Sequence, residues 1–220
     1  MKIILWVSFF VLFCFSSSSY AGNWEKLDKI PDDVEEIWAV IPIFSQKIKF
    51  KIPRDWESAN EKTLATSYIN EFLPKGQTLT SNSEMISISA YRSMSELYKP
   101  FFLINQYKNN IVKVCKDNIL FNYLGETEID GHQAAHAIIG CTSLPVDVPS
   151  VGLKKGQGEI SYYLAIDGEN DIYVFNKSIR TDSSQNSISL VTPENYKNFI
   201  KDIVPISLCP KEGEAAECIK

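Results

Sequence analysis

The sequence lacks the short motifs that identify many enzymes and cofactor-binding proteins. It contains no G-x-S-x-G nucleophile elbow, no G-x-G-x-x-G fingerprint and no P-loop. Gly156-Gln157-Gly158 has none of the other residues of either phosphate-binding pattern, so we interpret it as a turn before a strand. Lone serines such as Ser161 and Ser178 have no feature that separates them from surface serines. No catalytic residue and no cofactor is predicted.

Histidine is also scarce, and the chain has only His132 and His136. Two histidines four residues apart share a face of a helix and can there chelate one metal ion. On a strand the same spacing separates them by roughly 13 Å, at about 3.3 Å per residue. The Asp-Gly pair before them and Ile138-Ile139 after them favour a strand. The histidines are therefore predicted to serve packing or the surface, and no metal site is predicted.

No apolar run is long enough to span a membrane, which takes roughly 20 residues. Residues 1–21 instead have the features of a secretory signal peptide: a positive start at Lys2, a short apolar stretch and a small-x-small site ending at Ala21. The short run disfavours the alternative of a membrane anchor. Lipidation at Cys14 is disfavoured because Phe13 stands where a small residue is needed. The mature protein is expected to be soluble, without a stable membrane anchor, and periplasmic or secreted.

The length and composition of the chain after the signal peptide limit the class of protein to which it can belong. Its length suits one domain with a hydrophobic core. Removal of Lys2 with the signal changes the formal charge from −5 to −6. An acidic exported protein is a poor candidate for binding nucleic acid or anionic membranes. The aromatic content of 12% disfavours disorder.

Four cysteines follow the signal peptide: Cys115, Cys141, Cys209 and Cys218. An even number in an oxidising compartment indicates two disulfides, and four cysteines allow three pairings. We favour Cys115–Cys141 and Cys209–Cys218, since each joins nearest neighbours. No C-x-x-C pair is present, which disfavours zinc. A disulfide is likewise favoured over a Cys141 thiolate activated by His136.

Hydrophobic periodicity predicts more strands than helices. Asp130-Gly131 and Asp167-Gly168 each stand between alternating segments and predict two β-hairpins. The pattern predicts an antiparallel sheet with helices packed on it, an α+β fold in a single domain. The predicted elements are short helical turns after Pro31 within 23–39; strands at 46–52, 63–73 and 85–91; a helix at 95–114, with Ser95 as a candidate cap and Pro100 either in its first turns or restarting it; hairpins 119–129/132–141 and 159–166/172–180; and a final helix at 193–203.

The predicted organisation divides the chain into four parts. Residues 1–21 are the signal peptide and residues 22–43 an N-terminal extension. Residues 44–208 form the α+β domain. Residues 209–220 form a C-terminal tail closed by the second disulfide.

Two groups of charged residues are candidate binding features. Lys47, Lys49, Lys51 and Arg54 form a basic stripe along one predicted strand. The stripe indicates either a solvated or edge strand, which lysines protect against pairing, or a docking face for an acidic partner. Asp167, Glu169 and Asp171 lie in a predicted turn, where solvation is the usual reason for carboxylates. A complete calcium-binding loop is absent there.

A strand ending in Phe50-Lys51-Ile52-Pro53, with Trp56 just after it, resembles the opening of PsbP-like α/β/α sandwich domains, which include exported bacterial proteins of the DcrB type. The order of a late hairpin and a C-terminal helix matches as well. The resemblance covers most of residues 44–205. It implies an antiparallel sheet between helices, no common catalytic residues, and a role as an accessory or binding protein.

The leading functional hypothesis is an exported, non-enzymatic binding or accessory protein of the cell envelope with a protein partner. One alternative is a secreted hydrolase whose site is assembled from scattered residues. A second alternative is a secreted effector that acts outside the cell. The sequence leaves the partner and the choice between periplasm and medium open.

The signal peptide gives a direct test. We expect the protein recovered from its source to begin at Gly22, because the small-x-small site ends at Ala21. Intact-mass spectrometry measures the N-terminus. A chain that still begins at Met1, or that carries lipid on Cys14, would contradict cleavage at this site.

Overall fold

Two antiparallel sheets dominate the computed structural model, which describes residues 35–95, 97–181 and 191–212. Seven strands form one sheet in the order β3-β4-β5-β9-β8-β7-β6, and three form the other in the order β1-β2-β10. The elements are β1 (Glu36–Ile43), β2 (Gln46–Pro53), β3 (Trp56–Thr63), β4 (Ser67–Pro74), β5 (Glu84–Tyr91), α1 (Pro100–Cys115), β6 (Ile119–Ile129), β7 (His132–Cys141), β8 (Gly158–Asp167), β9 (Ile172–Thr181), α2 (Tyr196–Phe199) and β10 (Ser207–Pro210).

The central strands of the seven-stranded sheet are apolar on both faces. Successive side chains of a strand point to opposite faces. In β8, Tyr162 and Leu164 therefore pack toward the three-stranded sheet, whereas Ala165 packs toward α1. In β9, Phe175 packs toward the three-stranded sheet and Val174 packs toward α1. This double burial explains the unbroken apolar stretches at residues 162–166 of β8 and 172–175 of β9.

The larger core lies between the two sheets. Phe50 of β2 is fully buried, and its ring meets Phe72 edge-on at 5.9 Å and Phe175 at 5.2 Å between centroids. Edge-to-face contacts of this kind add about 0.5–1.5 kcal/mol to the burial of the rings. Further members of this core come from the small sheet and the region of α2: Ile41, Ile43, Ile48, Ile52, Phe199, Ile200, Ile203 and Leu208.

Helix α1 covers only part of the opposite face. Ile104 is fully buried against Ala135, Ala137 and Ala165. Small alanine side chains allow a helix backbone to lie close to the sheet. The helix packs on β6, β7 and β8. On this face of the sheet, strands β3 and β4 lie beyond the helix.

A buried carboxylate joins three turns at one end of the two sheets. Asp171, only 1% exposed, accepts hydrogen bonds from the backbone amides of Ser45 (2.9 Å) and Ser93 (2.8 Å). The Ser45 hydroxyl donates to the same carboxylate. Beside it, the hydroxyl of Tyr173 donates to the carbonyl of Ile43 at 3.0 Å, and burial raises the pKa of Tyr173 to about 12. These bonds connect the β1–β2, β5–α1 and β8–β9 turns.

A buried lysine holds the region of α2 against the sheet. Lys177 of β9 is 3% exposed, and its Nζ donates to both carboxylate oxygens of Asp202 at 2.7 and 2.8 Å. It also donates to the carbonyl of Phe199 at 2.9 Å. Three acceptors compensate the desolvation of the ammonium, which explains how the charge is tolerated inside.

The disulfide Cys115–Cys141 joins the end of α1 to the end of β7, with the Cα atoms 5.4 Å apart. This pairing is the one predicted from the sequence. Cys209 lies in β10. Its predicted partner Cys218 lies outside the described residues, so the second pairing stays a prediction.

Most predicted strands and both hairpins are confirmed, with corrections at four elements. The predicted helical turns within 23–39 are wrong from Glu36 onward, where β1 forms, because Ile37, Ala39 and Ile41 alternate into the core. The strand predicted at 63–73 is β4, and β3 before it was missed. Helix α1 begins at Pro100, since proline suits a first turn, and Ser95 does not cap it. The final helix is reduced to α2.

The described residues all belong to one compact unit. The coarse prediction of an antiparallel sheet with helices packed on it is confirmed, although the helix content is low. Strand β1 lies within the predicted extension 22–43, and β10 crosses the predicted boundary at residue 208. Within the described residues, no helix is long and apolar enough to cross a membrane.

Removal of the disulfide tests how the α1 layer is held. In the double variant C115S/C141S we expect the free energy of unfolding to fall by about 2–4 kcal/mol, because the bridge restricts the unfolded chain. Urea denaturation measures it. Val112→Ser, in the exposed last turn of α1, is the control and should change it by less than about 0.5 kcal/mol. An unchanged unfolding midpoint for C115S/C141S would contradict the expectation.

Candidate functional site

A groove of about 580 Å³ lies in front of the first turn of α1, beside strand β6. Lys99, Pro100 and Phe101 form its helix side. Glu126 and Glu128 form its strand side. We refer to it as the α1–β6 groove.

The groove exists because β6 runs past the start of the helix. Tyr123 pairs with Ala137, Glu126 with Ala135 and Glu128 with Gln133 in the β6–β7 ladder. Ala135 and Ala137 belong to the core under α1. The three β6 side chains therefore project from the α1 face of the sheet.

The ring of Phe101 lines the groove and packs against Tyr123 of β6. Phe101 is 45% exposed and Tyr123 is 37% exposed, and their rings meet edge-on at 5.0 Å between centroids. The next helix residue, Phe102, is 44% exposed but packs against Tyr98 outside the groove, with the ring centroids 5.1 Å apart and the planes tilted by 32°. Large apolar side chains with this exposure, placed next to one another, are typical of binding surfaces.

The other side of the groove is acidic. Among the described residues, the carboxylates of Glu126 and Glu128 form no ion pair and no hydrogen bond. Lys99, the cation of the groove, instead pairs with Asp167 at 3.1 Å. Burial and the charge of Glu126 together raise the pKa of Tyr123. Aromatic faces beside carboxylates are suited to a cation.

Strand β6 is also an edge of the seven-stranded sheet. In the described part of the chain it pairs only with β7. A bulge between Tyr123 and Gly125 shifts the register, and Gly125 has a φ of 126°. Beyond the bulge, the outward backbone groups near Glu126 and Glu128 lack a strand partner among the described residues. Such groups can pair with an added extended peptide.

The basic stripe predicted from the sequence lies on the outer face of the three-stranded sheet. Lys49 is only 6% exposed, and its Nζ lies 4.2 Å from the centroid of the Trp38 ring. Lys51 pairs with Glu36 at 2.7 Å. Lys47 and Arg54 also interact with other groups. The partner-binding role of these residues stays a prediction.

The interpretation of that stripe as an edge strand is wrong. Strand β2 lies between β1 and β10 and is paired on both sides. Its lysines therefore protect no open edge. The strand β10 that covers it was not predicted, because its four residues are too short for a periodic pattern.

The two histidines lie on strand β7, as predicted, and serve packing. The Nε2 of His132 lies 3.1 Å from the Nε2 of the buried Gln46. The Nδ1 of His136 lies 3.2 Å from the Tyr162 hydroxyl, and its ring meets Tyr162 and Tyr196 edge-on. Among the described residues, no group of three or more histidine, cysteine, aspartate and glutamate side chains could hold a metal ion.

The structure buries three of the remaining residues that the sequence singled out and places a fourth in a turn. The interpretation of Asp171 as a solvated turn residue is wrong, because the fold buries it beneath three turns. Ser161 and Ser178 are buried and opposite each other in the β8–β9 ladder. Gly156, with a φ of 88°, lies in the turn before β8, as predicted.

Sequence reasoning missed the α1–β6 groove because each of its parts has an ordinary local interpretation. Phe101 fits the apolar stripe of a helix, and Tyr123 fits a strand. The signal that was available is the pair Phe101-Phe102, since two adjacent residues cannot both face the core from one helix. Glu126 and Glu128, spaced for one face of a strand, supply a second signal.

Comparisons with known proteins give the fold resemblance only. No protein-family model and no curated protein matches the chain. Solved structures that resemble it include the Ran-binding protein Mog1p of Saccharomyces cerevisiae, at 10% identity and a TM-score of 0.42, covering 76% of this chain and 95% of Mog1p. Cyanobacterial PsbP from Synechocystis matches at 9% identity and a TM-score of 0.39, covering 74% of this chain and 94% of PsbP.

A protein of unknown function from Pseudomonas aeruginosa matches at 14% identity and a TM-score of 0.33, covering 76% of this chain and 96% of that protein. The PsbP-like resemblance predicted from the sequence is thereby confirmed as a weak resemblance of fold. It carries no conclusion about activity or partner.

His136 provides a pH test of the packing. Burial lowers the pKa of His136, so the unfolded chain takes up a proton at a higher pH than the folded protein does. The free energy of unfolding should therefore fall as the pH drops below about 6.5 toward the folded pKa. We expect His136→Gln to show a smaller fall, measured by urea denaturation across this pH range.

The matched control is His132→Gln on the same strand, which leaves the half-buried imidazole of His136 in place. Equal pH dependence in the wild-type protein and in His136→Gln would show that His136 does not contribute.

Proposed function

We propose that this protein is an exported, non-enzymatic binding protein of the cell envelope, built on a PsbP-like sandwich. Its partner is a protein that places an extended, cationic segment in the α1–β6 groove. The observation that carries the proposal is the exposed Phe101–Tyr123 pair beside the carboxylates of Glu126 and Glu128.

The groove chemistry defines the partner segment. A lysine or arginine side chain can lie over an aromatic ring and reach a carboxylate at the same time, since cation–π contacts form within about 6 Å of a ring centroid. Alternate residues of an extended peptide point the same way, matching Glu126 and Glu128 on β6. Backbone pairing along β6 would supply affinity without requiring a particular sequence.

Export is supported by two features. The predicted signal peptide directs the chain out of the cytosol. The disulfide Cys115–Cys141 belongs to the class of bonds that persist in oxidising compartments. Both features fit a periplasmic or secreted protein.

The hydrolase alternative gains no support from a specific observation. His132 and His136 contact Gln46 and Tyr162, away from the α1–β6 groove. The effector alternative rests on export alone.

A peptide titration tests the proposal. The probe is a fluorescent peptide of alternating lysine and valine, titrated with the purified protein and followed by anisotropy. We expect saturable binding, and we expect Phe101→Ser to weaken it by about tenfold, the loss of one cation–π and packing contact. The matched control is Phe102→Ser, which removes a neighbouring ring of the same exposure that does not line the groove.

A second pair of variants tests the charge. E126Q/E128Q should weaken binding of the lysine–valine peptide, whereas E57Q/D117N removes two charges elsewhere and should leave it within about twofold. A glutamate–valine peptide should not bind. Equal effects of Phe101→Ser and Phe102→Ser, or preference for the acidic peptide, would reject the groove as the binding site.

A further inference from the structure

A second cleft lies between two loops, and the residues that line it differ in chemistry from those of the α1–β6 groove. Residues 76–83, which connect β4 to β5, form one wall, and residues 152–157, which precede β8, form the other. Its volume is about 670 Å³, within the size range of small-molecule sites. We refer to it as the loop cleft.

The walls of the loop cleft are joined by one arginine. The Nη2 of Arg180 donates to the carbonyl of Leu79 at 3.1 Å and to that of Val151 at 2.8 Å. Its Nε donates to Glu159 at 3.1 Å. The loops also touch directly, because a Cβ on Gly152 would collide with the carbonyl of Thr80. The cleft is thus preformed.

Side-chain bonds shape each loop from within. The Oε1 of Gln77 accepts from the backbone amide of Ser83 at 2.8 Å, and Gln157 accepts from that of Lys154 at 2.9 Å. The Nδ2 of Asn82 donates to the carbonyls of Thr78 and Leu79. These local bonds reduce the ordering needed when a ligand binds.

Asn82 contributes to the wall of the cleft, and its side-chain carbonyl oxygen is a buried acceptor. The residue is 9% exposed, and its Oδ1 has no hydrogen-bond donor among the described residues. Buried carbonyl oxygens are normally paired. With less than 1 Å² of exposed surface, this oxygen lies beneath the cleft lining, so the side-chain hydroxyls of the walls are the groups that a ligand can reach.

The charge of the cleft is positive. Lys154 and Arg180 are the charged residues among those that line it, and no carboxylate does. Arg180 is partly neutralised by Glu159. Lys154 is exposed, and its ammonium has no ion-pair partner among the described residues. Thr80, Ser81 and Ser83 add neutral hydroxyl groups.

We propose that the loop cleft binds a small hydroxylated anion, of the class of sugar acids and sugar phosphates. The anionic group pairs with Lys154, and ligand hydroxyls form hydrogen bonds with the side-chain hydroxyls of Thr80, Ser81 and Ser83. The site is independent of the peptide-binding function proposed above, because the two share no residue.

Isothermal titration calorimetry with the purified protein tests the assignment. The probes are glucuronate and glucose 6-phosphate, which carry both groups, with acetate and glucose as probes that carry only one. We expect saturable binding of at least one hydroxylated anion and weaker or no binding of acetate and glucose. The variant Lys154→Gln should weaken that binding by about tenfold, the expected loss of one charge-assisted contact.

The matched control is Lys155→Gln, which removes the same charge from the next residue, outside the cleft lining. Its affinity should stay within about twofold of the wild type. Failure of both hydroxylated anions to bind overturns the proposal. So does equal binding of glucose, or an equal loss in Lys154→Gln and Lys155→Gln.

Discussion

The double burial of the central strands β8 and β9 is the constraint on which the rest of the structure depends. Strands that are apolar on both faces must be covered on both, and the chain supplies two different covers. The three-stranded sheet and the region of α2 cover one face, and α1 covers the other. The buried groups of Asp171 and Lys177 then join these covers to the sheet by hydrogen bonds. Removing Asp202 would leave the buried ammonium of Lys177 with fewer acceptors to compensate its desolvation.

The difference between the two covers determines where binding surfaces remain. One helix is too narrow to cover a sheet of seven strands. Helix α1 therefore lies over β6, β7 and β8, and its first turn is set back from the end of β6. The aromatic residues at its first turn consequently meet the edge strand beside open space, where they form the α1–β6 groove. At the opposite end of the sheet, the loops tied by Arg180 form a polar cleft. A single fold thus carries an acidic, aromatic surface and a cationic, hydroxyl-rich one.

Local patterns predicted the hairpins well, because Asp-Gly turns and alternation act over a few residues. The strand β1 was predicted as helical turns, although Ile37, Ala39 and Ile41 alternate, because Val34, Ile37 and Trp38 also fit a helical spacing. Asp171 was predicted as a solvated turn residue, since its burial depends on turns far away in the sequence. The α1–β6 groove was missed for a similar reason, because Phe101 and Tyr123 meet only after α1 docks on the sheet.

The most direct measurement of the central claim is site-specific photo-crosslinking in the native source. A benzophenone amino acid would replace Phe101 in one strain and Phe102 in another, two positions of equal exposure. The account predicts a discrete adduct from position 101 that is absent from position 102, with the crosslinked segment of the partner rich in lysine or arginine. Identical adducts from both positions, or an adduct at 101 to an acidic segment, would contradict it.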